Sequence, residues 1–349
     1  MIEVGIVFLF LLLLVLFFIL LSLFIYLMIE KYINNQSRKK INELKETYRL
    51  DMFHFLQTGK DDELSPVGSS EKFIAFLELL SEYANVLDSM DVKQKISEYA
   101  KKYFTNHIKK ELKKRRWSLR MNALYMIEDF HMDHLNSSLH ELYNKKNLTI
   151  AEKAQILRMF AKFNDNRLTS YLQKSDPGLS DFSILTILSI MNEDNFEILV
   201  EDFVNLDKRT QFMIIDTIGK EQLIQYHPLL AKLLESNEEE MRIRALKAYS
   251  NMGAPIDKTQ LAEFFSFESW QVRMMAAKVA GTQKLTNYKG KLIELLSDQE
   301  YVVRAEAAKA IIQFKDGFDI LKQVIDETED DFARDMALEW HEKKRVDYY

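Results

Sequence analysis

The order of apolar and polar positions divides the chain before any composition is considered. Val4 to Ile29, VGIVFLFLLLLVLFFILLSLFIYLMI, runs for 26 residues without a charge and holds ten Leu and five Phe. A helix apolar on every face has no side to turn to water. At about 1.5 Å per residue it is ~39 Å long, more than the ~30 Å hydrocarbon core of a bilayer. The pattern predicts a transmembrane anchor over residues 1–30. A cleaved signal peptide would carry a basic start, an apolar run of about 7–15 residues and a small-residue cleavage site. Here the start holds Glu3, the run is longer, and no A-x-A follows. No Lys or Arg precedes the run, whereas Lys31, Arg38, Lys39, Lys40, Lys45 and Arg49 follow it. The positive-inside rule then places the N-terminus outside the cell membrane and everything after about residue 30 in the cytoplasm.

Residues 31–57 predict a juxtamembrane amphipathic helix. Ile41, Leu44, Tyr48, Met52 and Phe55 are spaced 3, 4, 4 and 3 apart, the seam of a short coiled coil. That seam serves either a dimerisation stalk or docking on the domain that follows. TGKDDELSPVGSS, residues 58–70, has no helical period and reads as a linker. Ser70 is placed to cap a helix starting at Glu71.

Downstream, one helical face recurs. MRIRALKAYS, VRMMAAKVAG, VRAEAAKAII and ARDMALEWHE align on Arg242, Arg273, Arg304 and Arg334, spaced 31, 31 and 30 residues apart. Three and four residues after each arginine stand Ala245/Leu246, Ala276/Ala277, Ala307/Ala308 and Ala337/Leu338. A second apolar-periodic segment precedes each: HPLLAKLLES, TQLAEFFSF, YKGKLIELLSD and FDILKQVIDE. Each unit is thus a helical hairpin of roughly thirty residues, which buries its apolar face only by stacking on its neighbours. Fainter units align on Arg120, Lys153, Ser183 and Arg209, and residues 71–116 predict two further helices as an N-terminal cap. The reading is all-α: one transmembrane helix, then an α-solenoid over 71–349 with its clearest repeats at 227–342.

These residues resemble the HEAT-repeat family, in the short bacterial form with a D…VRxxAAxAL pattern. LSDQEYVVRAEAAKAI matches best, with Asp298 six residues before Arg304. The other units hold Ser236, Phe267 and Thr328 at that position, so an Asp–Arg ladder of the family's kind is incomplete. The resemblance implies that Arg242, Arg273, Arg304 and Arg334 bond within the stack and hold units in register. It also implies a non-enzymatic scaffold or accessory subunit that binds protein partners at the membrane. Two alternatives stay open on analogy with the family. One is a regulatory subunit of a membrane glycosyltransferase in a surface-polysaccharide system. The other is a HEAT-fold metalloenzyme.

Composition narrows the chemistry. The 349 residues include 9 Gly, 4 Pro and no Cys, which suits a helical chain and removes disulfides, thiolate metal sites and cysteine nucleophiles. With 47 Lys and Arg against 53 Asp and Glu, the net charge is −6, unlike a nucleic-acid binder. No Gly-rich phosphate loop, G-x-S-x-G or H-E-x-x-H occurs. His140-Glu141 and His341-Glu342 echo the paired His-Glu ligands of deoxyhypusine hydroxylase, a di-iron HEAT enzyme, but most units lack such a pair. HMDHLNSSLH offers His131, Asp133, His134 and His140 as zinc donors; His131 and His134 share a face only if helix runs through both. No catalytic residue, metal or cofactor is expected. The sharpest asymmetry is KKYFTNHIKKELKKRRWSLR, residues 101–120, with nine Lys or Arg and one Glu. Lys109, Lys110, Lys113, Lys114 and Arg116 are read as a stripe on one helix. With Arg115 and Arg120 they form a candidate patch for anionic lipid or an acidic partner surface.

Overall fold

The computed structural model describes residues 2–60, 64–145, 147–174 and 176–346, with side chains from 8 to 343. Asp61, Asp62 and Glu63 of the expected linker, and 347–349 at the end of the expected solenoid, lie outside the described residues. Among these residues all regular structure is helical: nineteen α-helices and five short 3₁₀ turns, with no strand. The chain divides into two compact units, Met1–Ile156 and Leu157–Tyr349.

The first unit begins with one continuous helix, α1 (Ile2–Thr58). It is long and apolar enough to cross a membrane, and from Phe8 through Gln36 every residue is exposed. Beyond that point burial begins. Ile41, Met52 and Phe55 are buried, and Leu44 and Tyr48 are half-buried, against α2 (Ser70–Val86) and α3 (Met90–Tyr103). Tyr48 meets Phe76 with ring centroids 4.8 Å apart, and Phe55 meets Tyr99 at 5.4 Å. The heptad seam is therefore filled from within the chain. Ion pairs set the direction of α2. Lys40 pairs with Glu71 (3.9 Å), Lys45 with Glu78 (3.3 Å) and Arg49 with Glu82 (3.1 Å). Partners rise together along both helices, so α1 and α2 run parallel, and the intervening segment must return along them. That return is pinned where Tyr99 donates to the Leu64 carbonyl (3.1 Å) and Lys95 to the carbonyls of Leu56 and Gln57 (3.0 and 2.9 Å). Ser69, rather than Ser70, caps α2, its hydroxyl accepting from the Lys72 N–H.

Where two helices are expected over 71–116, three form. The chain turns at the buried Phe104 into α4 (Thr105–Glu111), followed by α5 (Trp117–Asp129) and α6 (Asn136–Tyr143). Phe104 packs on Phe73 and Phe130, at 5.2 and 6.0 Å between centroids.

The boundary between units falls within α7 (Ile150–Lys162). The second unit continues through α8 (Leu168–Gln173), α9 (Asp181–Ser189), α10 (Glu193–Glu201) and α11 (Lys208–Lys220). Then come α12 (His227–Leu234), α13 (Glu239–Met252), α14 (Lys258–Phe264) and α15 (Trp270–Thr282). It ends with α16 (Lys289–Glu294), α17 (Tyr301–Ile311), α18 (Gly317–Glu327) and α19 (Asp331–Val346). Helices α9, α11, α13, α15, α17 and α19 pack in succession, and α12, α14, α16 and α18 each pack on the helix that follows in the chain. This is the stacked-hairpin architecture of an α-solenoid. The Ala pairs lie in the stack: Ala245, Ala276, Ala277, Ala307 and Ala308 are fully buried. The approach is closest at two glycines. A Cβ at Gly219 would stand 2.7 Å from Ala248 Cα, and one at Gly281 2.7 Å from both Ala310 Cα and Cβ.

A backbone turn also recurs along the repeats. His131, Asn164, Gln222, Gly253 and Lys284 take positive φ, 51° to 67°, just past α5, α7, α11, α13 and α15. At four of them the next N–H reaches back to the helix: Met132 to Ile127, Asp165 to Phe160, Leu223 to Ile218 and Leu285 to Ala280. This is a left-handed helix stop that closes orphan carbonyls, and only Gly253 adopts it without a Cβ penalty.

Two neighbouring substitutions should therefore act in opposite directions. Gly281→Val, forced against Ala310, is expected to lower stability by about 1–3 kcal/mol. Lys284→Gly is expected to raise it by up to about 1 kcal/mol, by relieving the left-handed residue. Thermal melts of both variants followed by circular dichroism check the signs. Gly290→Val, with nothing within 4 Å of its Cβ, serves as the control.

Candidate functional site

The arginine that defines the repeat has one recurring geometry. Arg120, Arg242, Arg273, Arg304 and Arg334 each occupy the fourth position of their helix, α5, α13, α15, α17 and α19. Each donates to the carbonyl six residues earlier, in the loop that joins the two helices of its hairpin. The acceptors are Lys114 (3.1 Å), Ser236 (2.6 Å), Phe267 (2.8 Å), Asp298 (2.6 Å) and Thr328 (2.5 Å). Carbonyls at the end of a helix have no following turn to bond, and the guanidinium fork supplies the missing donors.

Four of the five then reach forward to the next unit. Arg120 forms a bidentate pair with Glu152 (2.6 and 3.1 Å). Arg273 does the same with Asp298 (2.7 and 2.9 Å). Arg242 lies over the Phe267 ring at 4.5 Å and Arg304 over Phe332 at 4.7 Å. The ladder thus differs from the expected one. In two units the residue at −6 gives its own arginine a backbone carbonyl while its side chain serves the arginine of the unit before. Asp298 belongs to Arg273, and Phe267 stands in for an acid opposite Arg242 through a cation–π contact. Arg209 departs from the scheme and reaches back to Asp181 (2.5 Å). In that unit Gln211 closes the loop instead, donating to the Phe203 carbonyl (2.7 Å).

The basic segment is arranged differently from the sequence reading. Lys109 and Lys110 lie on α4, but that helix ends at Glu111, so Lys113, Lys114, Arg115 and Arg116 sit on the α4–α5 loop and no single helical stripe exists. Arg120 is absorbed by its structural role. It holds the carbonyls of Lys114 and Arg115 and pairs with Glu152, whose side chain is fully buried. Burial alone would push the Glu152 carboxyl up, yet donation from Arg120 and Thr149 holds it below the usual range. Trp117 Nε1 donates to Thr149 Oγ1 (3.2 Å), tying this loop to the one before α7. Between the two loops lies an open cleft of about 500 Å³. Lys113, Lys114, Arg115 and Lys145 line it, and all four side chains are exposed. Lys145 is the member the sequence reading missed. Its signal was the repeat period, which sets the loop after α6 beside the loop after α4.

The histidines do not converge. His131 is a left-handed turn residue, so helix does not run through to His134. His134 Nε2 meets Thr105 Oγ1 at 2.9 Å, and burial followed by the nearby Lys101 charge pushes its pKa down. His140 is buried in α6, and His341 stacks on Phe318 at 3.8 Å between centroids. Among the described residues no three His, Asp or Glu side chains come together as a metal site.

The Arg273–Asp298 pair is the most enclosed rung of the second unit, with side chains 17% and 6% exposed. Arg273→Ala is expected to cost about 3 kcal/mol, because it strands a buried carboxylate and two carbonyls. For Asp298, burial pushes the pKa up, but Arg273 and the Glu300 N–H outweigh it and hold it below 3.8. The stabilisation is therefore complete above the ordinary carboxylate range and is lost as pH falls through the depressed value. Asp298→Asn should flatten the acid limb of the unfolding curve, as read by denaturant titrations at stepped pH. An unchanged acid limb would rule the pair out as its source.

Comparison with known proteins adds a family and solved structures. No curated protein matches the chain. Among solved structures, the crystal structure of an engineered protein matches at 16% identity, over 69% of this chain and 97% of that one, with a TM-score of 0.32. The family model for HEAT repeats matches residues 260–339, the segment where α14 to α19 stack and where the Arg273–Asp298 and Arg304–Phe332 rungs lie. Residues 260–339 of the chain are HEAT repeats.

Proposed function

We propose that the protein is a membrane-anchored, non-catalytic scaffold whose HEAT repeats hold a protein partner at the cytoplasmic face of a membrane. HEAT repeats are a protein-interaction architecture, since stacked hairpins present extended surface without needing a reaction centre. One observation carries the membrane half of the reading. The apolar stretch of α1 is exposed on all sides, whereas the same helix is buried from Ile41 onward against α2 and α3. A helix that docks one half and leaves some thirty apolar-rich positions uncovered needs an apolar solvent for the other half. Anchoring confines the repeats to two dimensions and raises their effective concentration near membrane partners.

The absence of cysteine makes orientation directly testable. Val86→Cys, at a position 78% exposed, is expected to resist a membrane-impermeant maleimide on intact cells and to label after permeabilisation. Labelling of intact cells would reverse the orientation. In-cell cross-linking of the full chain, purification in mild detergent and mass spectrometry test the scaffold. Recovery of a stoichiometric membrane protein is expected, and recovery of no specific protein would overturn the reading.

A further inference from the structure

The first unit orients its own basic segment with respect to α1. Lys40 of α1 pairs with Glu71 in the first turn of α2, and Phe73, two residues on, packs on Phe104 and His107 at the start of α4. The start of α4 therefore lies beside the first turn of α2, the turn that Lys40 of α1 pairs with. Lys40 is eleven residues beyond Ile29, or ~16 Å along the helix. Of that, the headgroup layer takes ~6 Å. The remaining ~10 Å is about one Debye length at ~0.1 M salt, and a tilted helix shortens it.

The charges of the α4–α5 segment and of Lys145 are uncompensated among the described residues. On α1 and α2, Arg38, Lys40, Lys45 and Arg49 are all matched by glutamates. Lys109, Lys110, Lys113, Lys114, Arg115, Arg116 and Lys145 form no ion pair among the described residues. Their display is also fixed rather than loose. Arg120 grips the carbonyls of Lys114 and Arg115, and Trp117 joins the neighbouring loop through Thr149. Two walls of a concave site are thereby set with lysine and arginine side chains facing outward. A second groove of about 520 Å³, lined by Tyr32, Gln36, Lys39, Lys40 and Glu71, lies where α1 meets the first turn of α2. An aromatic ring beside basic residues just past an apolar span is the composition of a membrane interface.

We propose that the cleft lined by Lys113, Lys114, Arg115 and Lys145 binds the phosphate of anionic phospholipid headgroups and docks the first unit on the bilayer from which α1 emerges. This rests on the membrane-anchored reading above. Lysine ammonium groups suit the compact phosphodiester as point charges, and Arg115 adds a planar fork. Arg120 is not one of the ligands, since Glu152 and the two carbonyls occupy it; it positions the loop. An acidic protein surface would meet the same charges, but the tie of α4, through Phe73, to the turn of α2 that Lys40 of the anchored helix pairs with favours lipid.

The test uses the full chain reconstituted in nanodiscs of phosphatidylcholine alone or with phosphatidylglycerol added. Hydrogen exchange is read over 112–116 and 145–148. Exchange is expected to slow by about fivefold or more in the anionic discs, the factor one basic residue near a charged surface supplies. The slowing should vanish at high salt. It should also vanish in the Lys113→Glu/Lys114→Glu/Arg115→Glu variant and weaken in Lys145→Glu, exposed sites whose circular dichroism should match the parent. Equal exchange in both discs would overturn the proposal. So would equal protection by inorganic phosphate in neutral discs, which would assign the site to a soluble anion. Alkaline carbonate extraction tests the anchor separately. If it strips the chain from membranes, the anchored reading fails, and the same comparison with neutral and anionic vesicles still decides the headgroup site.

Discussion

A helical hairpin leaves carbonyls at the end of its first helix that no further turn can reach, and an apolar face that its second helix cannot fully cover. The stack in this protein rests on one side chain that answers the first problem while it fixes the geometry of the second. An arginine at the fourth position of the second helix turns back onto its own loop, and in four of five cases its guanidinium also meets the next unit. Because the same group serves both contacts, the loop conformation and the spacing between units are coupled. That coupling lets the apposed faces come as close as Gly281 and Ala310 do, and close packing is where dispersion and apolar burial become large.

The partner of that arginine is free to vary in chemistry as long as it favours a cation. Glu152 and Asp298 answer with a carboxylate, and Phe267 and Phe332 with a ring face. A buried charge needs compensation of some kind, and the backbone carbonyls supply a fixed share of it in every unit. The variable rung then completes it. This is why a repeat can drift in sequence without losing its register.

The first unit solves a different problem. A helix as long as α1 would swing freely if only its end were tied. Here α2 runs parallel to it, the intervening segment returns beside both, and glutamates at 71, 78 and 82 match lysines and arginine at 40, 45 and 49. The seam that reads as half a coiled coil finds its second strand in the same chain. Helical periodicity says that an apolar stripe must be covered but is silent about whether a second copy or a later segment does so. The same gap explains the basic segment. Its composition was plain, but the break at Glu111 was not, because Leu112 and Lys113 are ordinary helix residues. The helix stops there because Arg120 holds the following carbonyls in an extended loop.

By itself, then, the sequence determined the anchor-like helix, the all-helical class, the thirty-residue period and the arginine that marks it, because these depend on local periodicity and on residue size. It left open which group that arginine meets in the next unit and whether helix runs on through His131. Both depend on which loop lies against which helix, and on a backbone turn that His131, Asn164, Gln222 and Lys284 adopt without sharing a residue type. Only the tertiary structure decided that Asp298 pairs with Arg273 and that Lys145 joins Lys113 and Lys114 around one cleft. The physical reason is that such pairings join residues about thirty positions apart, where no local propensity acts and only packing brings the groups together.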